Sequence, residues 1–482
     1  MNDTDYPIEF FEVRGLYGYK NITLNFKNKT NIFVSENGVG KTTIINFLYG
    51  VLKLNFEGIY VGDIEFDCIK IKFTNHNKVF SLAVNDIDTL YSIESDIKDL
   101  LGKIRTINSR IDDYNGSQLF NLYSEIIGYK RGDYDKNKAF KTLFGISLTM
   151  VKKRREEENE YNILNLKDFL IKSLSSGMID FLKIHRKNIS NKEILFMPTY
   201  RRLEKIPSEL LDAIDEIEAT SDSIFNEFGY GLNDVDYELN RITNSIERKS
   251  TNEYRELSIT MLDDIVNNES ENKNIKESEL PELKDLTRFL KRVRIGNGRT
   301  KRSRELNLKS VDKLIGSLGK IYEEKKVDEH KYLKYFLSKL NLVIKETKEQ
   351  EYKIEQFINV CNGYLSSSGD IKYIEINPNN FSVRVIDKYS QRIIEFDELS
   401  SGEKQIISLM AKLYLSNERD KIIIIDEPEL SLSIKWQQKL LPDMDSASVV
   451  KQIVAITHSP FIFDNNLESN ATELIITRDE VE

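Results

Sequence analysis

Ser35-Glu-Asn-Gly-Val-Gly-Lys-Thr-Thr43 carries the residue types that hold a polyphosphate. Ile32, Phe33 and Val34 before it read as a short buried strand. Ile44, Ile45, Phe47 and Leu48 after it read as the apolar face of a helix. In a strand–turn–helix of this kind the glycines let backbone N–H groups close around phosphate oxygens, and the helix N-terminus adds partial positive charge. Asn37, Gly38, Val39, Gly40, Lys41, Thr42 and Thr43 are therefore the candidate nucleotide-binding residues. Lys41 is expected to reach the β- and γ-phosphates, and the Thr42 hydroxyl to ligate Mg²⁺. Ser35 stands where the pattern G-x-x-x-x-G-K-[ST] has its first glycine. Serine is small, so the turn is expected to survive.

A second set of candidates follows Ile422, Ile423, Ile424 and Ile425. Such an unbroken apolar run reads as a parallel strand buried on both faces. Asp426 and Glu427 then fall at its C-terminal end, where open α/β sheets place their ligands. Asp426 is the second candidate for Mg²⁺, through water. Glu427 is the candidate general base for an attacking water.

Two further segments bring a resemblance. Leu399-Ser-Ser-Gly-Glu-Lys404 precedes a helical pattern through Ile406, Ile407, Leu409, Met410 and Leu413. Ser-x-x-Glu is also a capping box, so a plain helix cap is the other reading. The segment resembles the signature motif of ABC-type ATPases, Leu-Ser-Gly-Gly-Gln, with Ser401 in place of the first glycine and Glu403 in place of the glutamine. The resemblance implies ATP as ligand with Mg²⁺, and an ATPase reaction. It also implies that Ser400, Ser401, Gly402 and Glu403 act in trans, on the ATP held by a second subunit. Thr457-His-Ser459, after the apolar stretch Ile453–Ile456, resembles the family's switch histidine. His458 thus joins Glu427 as a catalytic candidate. Glu429–Leu432 corresponds to the family's D-loop, and Ser433 stands where many relatives have histidine. No glutamine can be assigned as the Q-loop residue.

The elements that must position these residues form an α/β fold. The expected architecture is an ABC-type P-loop ATPase head with an N-terminal β lobe and a helical, short coiled-coil insertion. Residues 1–90 read mainly as strands, at Ile8–Val13, Ile22–Phe26, Ile32–Val34, Ile69–Phe73 and Phe80–Val84. Arg14-Gly-Leu-Tyr-Gly-Tyr19 reads as an early loop, with Arg14 or Tyr17 either near the adenine or part of a structural turn. Residues 91–369 read as mainly helical. Val235, Leu239, Ile242 and Ile246 give a heptad seam, and Leu283, Leu286, Leu290 and Val293 continue it. Leu333, Phe336, Leu340, Val343 or Ile344, Ile354 and Phe357 outline a long amphipathic helix. A strand at 194–198, followed by Arg201 and Arg202, is expected to return to the head, with a phosphate- or interface-facing role or a solvated end for the arginines. The arm proper spans about 205–360. Residues 370–482 form the C-terminal lobe. A helical insertion between the halves of one head is the layout of SMC-like ATPases, although the heptads here are not sustained over a rod.

Net charge of −9 argues against a general nucleic-acid coat. Lys291, Arg292, Arg294, Arg299, Lys301, Arg302 and Arg304 are a local exception, either a surface for phosphate backbone or an acidic protein, or a solvated loop. Cys68 and Cys361 alone suggest no disulfide framework and fit a reducing cytoplasm. No apolar run is long enough to span a membrane, and no membrane partner is expected.

The chain ends soon after His458, so the TOPRIM nuclease domain of OLD-family relatives is not expected. The layout resembles stand-alone bacterial ATPases of two-component anti-phage defence systems, such as the ATPase subunits of PARIS and Septu. That resemblance implies a homodimer or higher homo-oligomer, a separate nuclease or toxin as effector, and a nucleic acid or phage protein as trigger. An SMC-type ATPase of DNA repair or DNA-end processing is the alternative.

Overall fold

The computed structural model describes residues 6–36, 38–55, 64–91, 175–197, 232–267, 275–295, 301–367, 371–376, 383–394, 398–415, 419–430 and 432–479. The chain divides into two compact units, Met1–Glu227 with Glu418–Glu482, and Phe228–Asn417.

Among its described residues, the first unit holds two sheets. β1 (Ile8–Leu16), β2 (Lys20–Asn25), β4 (Cys68–Phe73), β5 (Phe80–Ala83) and β13 (Ile475–Arg478) make an antiparallel sheet in the order β13-β2-β1-β4-β5. The second sheet has the order β12-β3-β11-β10-β6 and is parallel throughout. Its strands are β3 (Thr30–Val34), β6 (Lys192–Met197), β10 (Asp420–Asp426), β11 (Val450–Thr457) and β12 (Ala471–Glu473).

Helix α1 (Lys41–Lys53) places Ile44, Ile45, Phe47 and Leu48 in one core with β1, β2 and β4 and with Ile422 and Ile424 of β10. Fully burying side chains of this size contributes roughly 1.5–3 kcal/mol each before ordering costs. The start of α1, where the phosphates would sit, is thus fixed against both sheets. Helix α2 (Ser176–Ile189) adds Phe181 to the same core and is capped by Ser175, which accepts from the Met178 N–H.

Parallel register decides where the chemistry falls. Thr457 pairs with Val34, and Asp426 pairs with Ile456. The C-terminal ends of β3, β11 and β10 therefore lie side by side on one edge, with β11 between the other two. β6 flanks β10 from Lys192 to Met197, so this strand belongs to the same sheet. Pro198, Arg201 and Arg202 lie outside the described residues.

One expectation is corrected. Arg14, Gly15 and Leu16 are not loop residues but the last residues of β1, and the turn is confined to Tyr17–Tyr19. The β1–β2 ladder continues to a Leu16–Lys20 pair across an irregularity after Val13, made possible by Gly15 at φ 64°.

The second unit contains helices α3 (Leu232–Val266), α4 (Leu283–Ile295), α5 (Lys301–Glu323) and α6 (Lys331–Leu365). Val235, Leu239, Ile242 and Ile246 are buried along α3, and Leu286, Phe289, Leu318, Leu340 and Ile344 share a core. α3 and α6 are each 35 residues long, about 50 Å. A small antiparallel sheet, β7 (Lys372–Ile376), β8 (Val383–Asp387) and β9 (Ile393–Ile394), precedes α7 (Ser401–Tyr414). The segment from 370 to 417, read above as part of the C-terminal lobe, is grouped with these helices. Lys291 lies 3.8 Å from Asp312, residues 296–300 lie outside the described residues, and Lys301–Arg304 begin α5.

Candidate functional site

The turn between β3 and α1 depends on backbone that only glycine adopts readily. Gly38 has φ 77° and Gly40, the residue before α1, has φ 103°. A Cβ at Gly40 would also come within 3.1 Å of Ile22 Cδ1. Asn37 lies outside the described residues. Ser35 keeps the turn on the sheet edge, its N–H donating to the Thr457 carbonyl at 3.3 Å.

Four side chains then meet across the β3 and β10 ends. The Thr42 hydroxyl donates to Asp426 Oδ2 at 2.6 Å, a short charge-assisted bond. Lys41 Nζ stands 3.0 Å from Glu427 Oε1, and Lys41 is buried. Glu427 itself sits at φ 51°, uncommon for a non-glycine residue and worth about 1–2 kcal/mol of strain. Its N–H donates to the Ile456 carbonyl at 2.9 Å, which continues the β10–β11 pairing past the end of the strand.

Magnesium takes hard oxygen ligands and is commonly held by one or two protein oxygens together with substrate phosphates. A hydroxyl and a carboxylate 2.6 Å apart, at the N-terminus of a phosphate-loop helix, fit that requirement. Thr42 and Asp426 are the residues that would hold the ion.

His458 follows β11. Its Nδ1 lies 2.9 Å from Glu429 Oε1 and 3.7 Å from Glu427 Oε1. Gly38, Val39, Gly40, Lys41, Thr42, Thr43, Asp426, Glu427 and His458 thus all belong to one edge of the first unit.

The signature residues belong to the second unit. Ser400 caps α7, accepting the Glu403 N–H at 3.3 Å, while the Ser400 N–H donates to Glu403 Oε2 at 2.8 Å. Both halves of a capping box are therefore formed. Lys372 Nζ binds both carboxylate oxygens of buried Glu403, at 3.1 and 2.9 Å. Gly402 lies in the first turn of α7; Ser401 opens the helix, and its side chain lies outside the described residues.

A family model for the AAA ATPase domain matches residues 7–463. The chain belongs to that ATPase family. Among solved structures, it is similar to the Smc head domain of Pyrococcus furiosus, with an extended coiled coil and bound to the C-terminal domain of ScpA. The identity is 14%, the match covers 98% of this chain and 96% of that chain, and the TM-score is 0.32. No curated protein sequence matches the chain.

One residue beside the ATPase-family phosphate loop, Lys20, was not read from the sequence as part of the site. Lys20 is buried, donates to the Val39 carbonyl at 3.2 Å, and packs over the Tyr17 and Tyr19 rings at 5.7 and 5.6 Å. The usable signal was alternation, since Lys20, Ile22 and Leu24 share the inward face of β2. Tyr17, at φ 57°, brings its hydroxyl 3.1 Å from Thr43 Oγ1. Arg14, the other adenine candidate, instead points its Nε at Glu12, 2.9 Å away. Glu429 was read only as the start of the D-loop segment; its contacts were missed because its partners lie 28 and 29 positions further along the chain.

Proposed function

We propose that the chain binds and hydrolyses ATP with Mg²⁺ and uses that cycle to hold and activate a separate effector in anti-phage defence. The observation that carries the ATPase reading is the meeting of Lys41 and Thr42 with Glu427 and Asp426. Binding of phosphates falls to the Gly38–Thr43 turn and Lys41. Magnesium, when bound, neutralises charge on the phosphate oxygens. Glu427 orients the attacking water and takes its proton, and His458 stands beside it to contact the terminal phosphate. Ser400–Glu403 complete the site of a second copy, so the working form is a homodimer or a larger assembly. The helical unit recognises the trigger and the effector, a nuclease or toxin.

Phosphate release by purified protein with Mg²⁺ and ATP tests the reaction. The wild type should turn over and Glu427→Gln should not; equal rates would refute the assignment. For the defence role, cells carrying the chain with its neighbouring gene should resist phage, and Lys41→Ala should remove the resistance. Resistance that persists in Lys41→Ala would show that ATP binding has no part in it.

A further inference from the structure

Glu429 is a buried carboxylate placed against the switch histidine from an element other than its own. Its Oε2 accepts the Thr457 hydroxyl at 2.7 Å, and its Oε1 accepts the His458 N–H at 3.1 Å. The same Oε1 lies 2.9 Å from His458 Nδ1. The backbone around Glu429 is tied to the same place. Gln437, on helix α8 (Ile434–Ser446), donates from Nε2 to the carbonyls of Leu432 (3.0 Å) and Glu429 (3.3 Å). Gln437 Oε1 accepts the Ser459 hydroxyl at 2.9 Å, and the Ser459 N–H donates to Thr457 Oγ1 at 3.0 Å. Glu429, Thr457, Ser459 and Gln437 thus close a ring of hydrogen bonds around the residue that carries the imidazole.

We propose that Glu429 is the positioning residue for His458, holding the ring hydrogen on Nδ1 and presenting Nε2 to the reacting groups, where the neutral ring accepts from water and the protonated ring donates to a phosphate oxygen. The reason is chemical. A carboxylate oxygen can only accept, so the nitrogen facing it carries the hydrogen. In the neutral ring that leaves Nε2 with a free lone pair, an acceptor, directed away from Glu429 because the two ring nitrogens diverge. Without the carboxylate, nothing in the ring of hydrogen bonds selects that tautomer or that ring plane. Partners that orient a metal-ligating histidine cost about tenfold to a hundredfold when removed, and a loss of that size is expected here. The functional half of this inference rests on the ATPase reading; the tautomer half does not.

The experiment uses the full chain with ¹⁵N-labelled histidine. The chain has four histidines, and His458→Ala assigns the relevant signal. Long-range ¹H–¹⁵N spectra should show the Nδ1–H tautomer at His458 in the wild type and in Glu429→Gln, whose amide oxygen can still accept from Nδ1. Glu429→Ala should lose it. In ATP hydrolysis, Glu429→Ala should lower kcat about tenfold to a hundredfold, with KM changed less than about twofold, and Glu429→Gln should recover most of the rate. Glu429→Ala with His458→Ala should be no slower than His458→Ala alone, because the two act as one unit. An Nε2–H tautomer in the wild type, or multiplicative losses in the double variant, would overturn the proposal. Should Glu429→Ala fail to fold, the wild-type and Glu429→Gln spectra decide alone. A wild type that shows the Nδ1–H tautomer but hydrolyses no ATP would refute the ATPase reading while leaving this positioning intact.

Discussion

Lys41 and Glu427 form an ion pair of 3.0 Å between the first residue of α1 and the residue after β10. One carboxylate oxygen therefore engages the ammonium that is expected to bind the β- and γ-phosphates. On the proposed function, a triphosphate would compete with Glu427 for Lys41, and winning that competition would free the carboxylate to take a proton from water. In the proposed mechanism, binding of the nucleotide and activation of Glu427 as base are linked through this one contact.

That linkage separates two variants. Glu427→Gln removes the base and the competing charge together, so turnover should fall about 100-fold or more while ATP affinity stays level or rises. Lys41→Ala should lose ATP binding as well as turnover. Titration calorimetry with ATP and a phosphate-release assay check both. Weaker ATP binding by Glu427→Gln than by wild type would show that the pair does not compete with the nucleotide.

The turn itself gives a second prediction. Gly40→Ala forces a side chain onto φ 103° and against Ile22 Cδ1. The expected strain is about 1–2 kcal/mol, concentrated in the phosphate-binding backbone. ATP affinity should drop by at least tenfold while the unfolding midpoint in urea moves little. Gly38→Ala should show the conformational penalty without the contact, because its Cβ would meet no atom within 4 Å. A Gly40→Ala protein that binds ATP as the wild type does would show that the turn tolerates the side chain.

The parts of this site that could be read from the sequence are those where one local pattern forces one environment. Four isoleucines followed by Asp426-Glu427 fit a strand buried on both faces whose end must carry the acids, and that is where β10 places them. Gly38 and Gly40 before Lys41-Thr42 similarly imply a left-handed turn at a helix start. Lys20 was hidden because a lysine at the start of a strand ordinarily reads as solvated. Its burial arises only when β1 and β2 pair and the phosphate loop closes over them. Glu429 was hidden for the same kind of reason: nothing local indicates that its carboxylate meets Thr457 and His458. Neither the Lys372–Glu403 pair nor the β6–β10 pairing follows from periodicity, since both depend on which segments the fold brings together. The roles expected for Arg201 and Arg202, and for the arginines at 292–304, fall on side chains outside the described residues.

The proposal of composite sites makes a mixing prediction. Ser400→Arg should block the signature turn, and loss of the cap should itself cost about 1 kcal/mol of α7 stability. Lys41→Ala and Ser400→Arg subunits, each inactive alone, should regain up to one intact site per dimer when mixed. Phosphate release by the mixture, measured against subunit ratio, should peak near equal amounts. Full activity of either variant by itself would remove the idea that two chains build each site.

His185 makes a prediction about acid stability that does not depend on nucleotide. The residue lies on α2, is fully buried between Phe73 and Phe181, and places Nε2 2.9 Å from the Leu52 carbonyl near the end of α1. Burial pushes its pKa down from 6.5 to about 4, only partly opposed by the backbone carbonyls of Leu52 and Val51. The folded chain therefore keeps the ring neutral while the unfolded chain protonates it below about 6.5. Between those two values the unfolded state binds more protons, so stability rises with pH and falls as pH drops from 6.5 towards 4. The full shift corresponds to roughly 3 kcal/mol, complete once pH is below the folded value. His185→Gln keeps a donor for Leu52 and cannot titrate. Urea unfolding from pH 7.5 to 4.5 should show wild-type stability declining faster than that of His185→Gln, with the difference opening below pH 6.5. Parallel curves over that range would mean that the ring takes up its proton without leaving the core.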